Sequence, residues 1–174
     1  MSNALNRAAR RVVREYTGGA SDAPPVVGYA VTLGTYATIV GGLAALARRR
    51  GARLPDRVPV TDVALGAVAT HKISRLLAKD SVTSPLRAPF TRYQQPIGES
   101  ELGEQVRGEG VRHSVGELIS CPFCLAVWVA TGLSAGLVFA PRLTRLVAAT
   151  FAGVAGSDFL QLGYDIAKRH AEQG

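Results

Sequence analysis

Two long stretches without a charged side chain limit what this chain can become. Pro25 to Ala47 runs 23 residues without Asp, Glu, Lys or Arg and is closed by Arg48-Arg49-Arg50; Leu118 to Pro141 runs 24 more and is closed by Arg142. A bilayer core about 30 Å thick is crossed by roughly 20 apolar residues rising 1.5 Å each in a helix, so both stretches are long enough. A 174-residue chain with 19 % charged residues has little left over to cover two such helices in water. The predicted class is an integral membrane protein. The same long apolar runs exclude disorder, and two cysteines are too few for a disulfide scaffold.

Two weaker segments accompany them. Leu146 to Tyr164 is interrupted by Asp158 and Gln161, and Val60 to Ala78 starts apolar but then carries His71, Lys72 and Arg75. Lys72 stands about six residues, roughly 9 Å, from the end of that segment, within reach of snorkelling. The expectation is therefore four embedded helices over about 25–47, 60–78, 119–140 and 146–166, with a polar loop at 79–117. The positive-inside bias is stronger for three crossings than for four, but it counts short loops best and 79–117 is long, so it does not settle the topology.

Residues 1–24 read as a separate basic arm. Leu5, Ala8, Ala9, Val12 and Tyr16 recur at helical spacing while Arg7, Arg10, Arg11 and Arg14 fill the opposite face, a pattern suited to anionic lipid. Nucleic acid is not an expected partner, because no recognition fold or aromatic platform accompanies the arginines. Ala45-Leu46-Ala47 resembles a signal-peptidase site, but the apolar run before it is too long and starts too late, which reads as an uncleaved span. The fold class is all-α: a membrane helical bundle with an amphipathic N-terminal interfacial helix.

Small residues mark where helices could approach one another in lipid. Gly34, Thr38 and Gly42 form such a stripe in the first span, Gly132 and Gly136 in the third, and Ala149, Gly153 and Ser157 in the fourth. They predict a compact bundle, pairing with a second copy, or contact with other membrane proteins. Gly132-Leu133-Ser134-Ala135-Gly136 also matches a nucleophile elbow, yet it falls mid-span where no strand-to-helix turn can form, so it reads as packing. No phosphate-binding loop, dinucleotide fingerprint or H-E-x-x-H is present.

Residues able to carry chemistry gather near the polar loop. His71, Arg75 and Lys79 fall at i, i+4 and i+8 with Lys72 beside them, a stripe that either binds an anion or pairs with Asp62, Asp80 or Asp158. Asp158 lies deep within the fourth segment, where an ionisable group needs a partner or a water-filled cavity; Lys72 or Arg75 would serve, and a small transporter using Asp158 is a third option. Gly98 to Gly110, with Glu99, Glu101, Glu104 and Glu109, reads as a solvated connector.

Ser120-Cys121-Pro122-Phe123-Cys124 is the sharpest signal. Pro122 fits a first helical turn, which puts Cys121 at a helix N-terminus where the macrodipole favours thiolate. The i, i+3 spacing sets both sulfurs on one face, so they suit thiol redox chemistry or a zinc site completed by His113, Glu117 or a second copy. Two plain structural cysteines are the alternative. Trp128 nearby reads as an interfacial anchor.

Arg75-x4-Asp80-x4-Pro85-Leu86-Arg87-x-Pro89-Phe90, together with Gly116-Glu117-Leu118-Ile119-Ser120-Cys121-Pro122-Phe123-Cys124-Leu125-x2-Trp128, resembles domain-of-unknown-function family 1360. These are small bacterial membrane proteins, some linked to sporulation, and the resemblance spans about Val60 to Phe159. It implies a multi-pass protein of the bacterial cell membrane in which Arg75, Asp80, Arg87, Cys121 and Cys124 belong to a shared pattern. The family brings no known activity, cofactor or catalytic residue. The expected function is a non-enzymatic structural or interaction component of a membrane assembly.

Overall fold

The computed structural model describes residues 2–18, 20 and 23–173, with backbone alone at residues 2–6 and 8–10. In chain order it holds α1 (Ser2–Thr17), α2 (Val26–Arg49), α3 (Val60–Lys79), α4 (Ser84–Arg87), β1 (Thr91–Gly98), β2 (Glu101–Val106), α5 (Gly110–Ser120), α6 (Pro122–Phe139) and α7 (Pro141–Gln173). Three of these, α2, α6 and α7, are long and apolar enough to cross a membrane. The protein is mostly helical, but it is not all-α.

The correction falls in the segment expected to be a polar loop. Residues 91–106 form an antiparallel hairpin, with Thr91 opposite Val106 and Gly98 opposite Glu101. Glu99-Ser100 makes a two-residue turn in which Ser100 takes φ 61°, a left-handed conformation uncommon for a side-chain-bearing residue. Pro96 is tolerated because in a two-stranded sheet each strand is an edge. Glu101 and Glu104 therefore belong to a ribbon with two faces, while Glu99 sits exposed in its turn and Glu109 exposed just ahead of α5.

Helix ends follow local chemistry. α2 begins directly after Pro24-Pro25, and it ends where Gly51 adopts φ +60° and its N–H reaches the Arg48 carbonyl, with Ala52 bonded to Ala47. Pro122 and Pro141 open α6 and α7, positions at which the missing N–H costs nothing. α7 runs 33 residues, roughly 50 Å, well past the 146–166 expected. Nothing between Tyr164 and Gln173 breaks a helix, so the polar C-terminal turns simply continue it.

Pairwise contacts fix the directions of the long helices. Asp62 meets Arg145 and Lys72 meets Asp158, so α3 and α7 run parallel. Tyr29 reaches Glu117, just ahead of α6, while the Tyr36 ring packs edge-on against Trp128 (centroids 5.2 Å apart) and its hydroxyl meets Thr131, so α2 and α6 also run parallel. α6 turns back into α7 through Ala140 alone, making the two pairs mutually antiparallel. The N-termini of α2 and α6 thus lie at the same end as the C-terminus of α3, the hairpin and α5.

The buried centre consists of small side chains. Ala69, Ser74 and Ala78 of α3 and Thr144, Ala148 and Ala155 of α7 are enclosed, which lets the two backbones approach closely. Leu33, Ile39, Val127, Leu146 and Phe159 point outward instead. That inside-out distribution is the one a lipid-solvated bundle requires. In α1, the Leu5, Ala8, Ala9 and Arg10 side chains lie outside the described residues; Val12, Arg14 and Tyr16 are exposed, and Arg11 pairs with Glu15.

Candidate functional site

The end of the bundle carrying α4, the hairpin and α5 is organised by Arg87. Its side chain is 1 % exposed, and Glu104 on β2, 5 % exposed, accepts from its Nε at 2.6 Å. Nη1 donates to the Leu77 carbonyl and to Thr83 Oγ1, and Nη2 donates to the Asp80 carbonyl. Arg87 thereby satisfies carbonyls that the last turn of α3 leaves open, while Glu104 neutralises the guanidinium. Thr83 adds a hydrogen bond to the Leu76 carbonyl, and the Asp80 carboxylate accepts from the Val82 N–H. Arg75, one turn before the end of α3, clasps Glu101 through Nε and Nη2 at 2.6 and 2.8 Å.

The expected His71–Arg75–Lys79 stripe therefore does not converge on one anion. Lys72 meets Asp158 at 2.5 Å, and Arg75 turns to the hairpin instead. Asp80 contributes its backbone oxygen, not its carboxylate, to Arg87. The partners that sequence reading missed are Glu101 and Glu104. A weak strand alternation around a Gly-Glu-Ser turn was their only signal, and composition alone had made them solvent.

Cys121 and Cys124 sit at the other edge of the same end. Cys121 is the residue that caps α6, and its Sγ accepts the Cys124 backbone N–H at 3.3 Å. The two cysteines approach to 2.8 Å; Cys121 is half-buried and Cys124 exposed, and neither is in a disulfide. Burial pushes the Cys121 thiol up, but hydrogen bonds from the Cys124 thiol and from the Cys124 and Phe123 N–H groups, with the Lys79 ammonium nearby, outweigh it. The Cys121 thiol is left below its ordinary value.

Both thiols open into a cleft of about 500 Å³ between α2, α5 and the start of α6, lined also by Tyr29, Thr32, Glu117 and Ser120. Glu117 accepts the Tyr29 hydroxyl at 2.7 Å, and His113 Nε2 stands 3.5 Å from its other oxygen. Within a single copy the zinc alternative gains no further ligand. His113 Nδ1 faces the Gly108 carbonyl, Glu117 is engaged by Tyr29, and among the described residues no three His, Cys, Asp or Glu side chains converge.

Within one copy the glycine stripes are used unevenly. A Cβ on Gly34, Gly42, Gly132 or Gly153 would meet open space, whereas one on Gly136 would strike Thr144 Oγ1. Two further tight positions went unnoticed in the sequence: Gly28 lies against Ser114 and the Gly110 carbonyl, and Gly116 against Phe90 and Val106. A stripe of small residues marks where approach is allowed; which face is used depends on where the ion pairs and the α5 platform pull each helix.

Against this frame, the profile of the family described as a protein of unknown function (DUF1360) matches residues 65–164, from the first turns of α3 into α7. The chain belongs to the DUF1360 family. The match takes in Arg87, Glu104, the cysteine pair and the Lys72–Asp158 contact, and leaves α2, with Tyr29, outside it. Sporulation protein YjcA of Bacillus subtilis (strain 168) is 31 % identical over 99 residues, covering 54 % of this chain and 84 % of that protein. No solved structure matches the chain.

Proposed function

We propose that this DUF1360 protein crosses a bacterial membrane four times and serves as a structural or interaction component of a membrane assembly, in keeping with the sporulation role in the name of its Bacillus relative. Four crossings are supported by α3, which is 20 residues long, about 30 Å, and runs parallel to α7 and antiparallel to its other long neighbours. The N-terminal arm, the hairpin platform and the C-terminus then share one side, and residues 50–59 with the Ala140 turn share the other.

One observation carries the assembly role. Asp62–Arg145 and Lys72–Asp158 tie α3 to α7, yet the Arg145 and Asp158 side chains remain 50 % and 44 % exposed. A charge facing hydrocarbon is costly, and a neighbouring protein helix laid over this seam removes the cost. A photo-crosslinking residue at Gln161, one turn beyond Asp158, tests it in native membranes. Adducts of one discrete protein mass are expected; lipid adducts alone overturn the assembly role.

A second reading is favoured by Cys121, which caps α6 beside Cys124 at the mouth of the cleft. That placement supports thiol chemistry at this end of the bundle in preference to two inert cysteines. Thiol titration of the detergent-solubilised protein is expected to count two reactive groups, and two unreactive ones overturn it.

A further inference from the structure

The thiol reading can be taken to roles for individual atoms. Three features meet at the cleft: a capping thiol, a second thiol in contact with it, and a carboxylate held on α5. Cys121 and Cys124 are three residues apart at a helix start, a separation that a disulfide bridges without moving the backbone far. Pro122 holds that turn in helical geometry whichever oxidation state the sulfurs take.

We infer that Cys121 and Cys124 form a thiol–disulfide exchange centre, in which Cys121 attacks a disulfide entering the cleft, Cys124 resolves it, and Glu117 takes the Cys124 proton. This rests on the thiol reading above. The Cys121 sulfur, already accepting the Cys124 N–H, is the one the helix N-terminus stabilises as thiolate, so it is the nucleophile. Cys124 lies inside the first turn, and Glu117 lines the same cleft. The Tyr29 hydroxyl and His113 hold that carboxylate in place.

The exchange balances with no reactant beyond a disulfide. Cys121 thiolate forms a bond to one sulfur of R–S–S–R′, and R′–S⁻ departs. Cys124 gives its proton to Glu117 and attacks Cys121 Sγ; the Cys121–Cys124 bond forms, the Cys121–S–R bond breaks, and R–S⁻ leaves and takes up the proton. The protein loses two electrons, and the substrate disulfide gains them, leaving as one thiolate and one thiol. A dithiol substrate runs the sequence backwards. With a cleft of about 500 Å³ beside both sulfurs, the substrate class is a small organic disulfide or a cystine on an exposed peptide loop.

An aromatic disulfide, 5,5′-dithiobis(2-nitrobenzoate), tests this on the full chain in detergent micelles. Wild-type protein is expected to release two thionitrobenzoate equivalents and keep no adduct. Cys124→Ser should release one and retain a mixed disulfide at Cys121, identified by mass. Cys121→Ser should react at least about tenfold more slowly. Glu117→Gln should leave the first release unchanged, slow the second about tenfold, and flatten its pH profile.

The titratable groups lining the cleft with the thiols are Tyr29 from α2 and Glu117 from α5, with Lys79 of α3 near Cys121 and His113 beside Glu117. Arg75→Gln, whose partner is Glu101 on the hairpin, serves as the control and is expected to preserve the wild-type shape of that profile. Capture of the adduct on Cys124, or a Cys121→Ser protein as fast as wild type, overturns the roles of the two sulfurs. An unchanged second release in a monodisperse Glu117→Gln protein overturns Glu117 alone. Thiols no faster than those of an unstructured cysteine peptide sink the thiol reading itself.

Discussion

Arg87 and Glu104 set the strongest expectation at the scale of single residues. Both are almost fully enclosed, and the guanidinium also holds the Leu77 and Asp80 carbonyls. Glu104→Gln leaves a buried charge without its counterion and should cost about 3–5 kcal/mol in reversible unfolding in detergent. Arg75→Gln, which removes the more exposed pair with Glu101, should cost under about 1 kcal/mol. Equal losses would mean that burial does not set the difference. Arg87 itself entered the sequence reading only as a member of the family pattern. Its partner was not legible, because a glutamate among glycines has the same composition whether it faces water or an arginine.

Elements pack where the backbone permits and where something arrives to meet them. Gly28 on α2 has the Gly110 carbonyl where a Cβ would go, and Gly34, six residues on, has nothing. Gly28→Ala should lose about 1–3 kcal/mol through forced separation of α2 from α5, while Gly34→Ala should be neutral or slightly stabilising. Thermal melts of the two variants compare them directly, and a destabilised Gly34→Ala protein would show a contact on that face. In the hairpin, Ser100→Gly relieves a left-handed residue and should stabilise the protein by about 0.5–1 kcal/mol, read as a raised melting temperature. The turn was missed in the sequence because Glu-Ser is not one of the glycine-containing pairs that announce a tight hairpin.

For the molecule as a whole, the parallel α3–α7 pair is the organising unit. Asp158→Leu strands Lys72 and should lower stability by about 3 kcal/mol; the double variant Lys72→Met with Asp158→Leu should recover most of the loss, since no charge is then left without a partner. A double variant as weak as the single one would mean that the pair is not what holds these helices. Four crossings also predict that cysteines placed at Arg53 and Glu99, in a chain without Cys121 and Cys124, are labelled from opposite sides of intact vesicles. Labelling from the same side would remove α3 from the membrane.

Charge-free length determined the class of this protein and the location of its long helices, because crossing hydrocarbon is a condition each segment meets or fails on its own. The cysteine pair at a helix start was equally local: Cys-Pro-x-Cys carries its own capping geometry in four residues. Partner choice was of another kind. Whether Lys72 met Asp158, whether Glu104 was solvent or counterion, and which glycines touched a neighbour depended on residues as far as 86 positions apart. Those were settled only when helix direction and the hairpin brought distant charges within reach, since Coulombic and steric terms act on separation in space and take no account of separation along the chain.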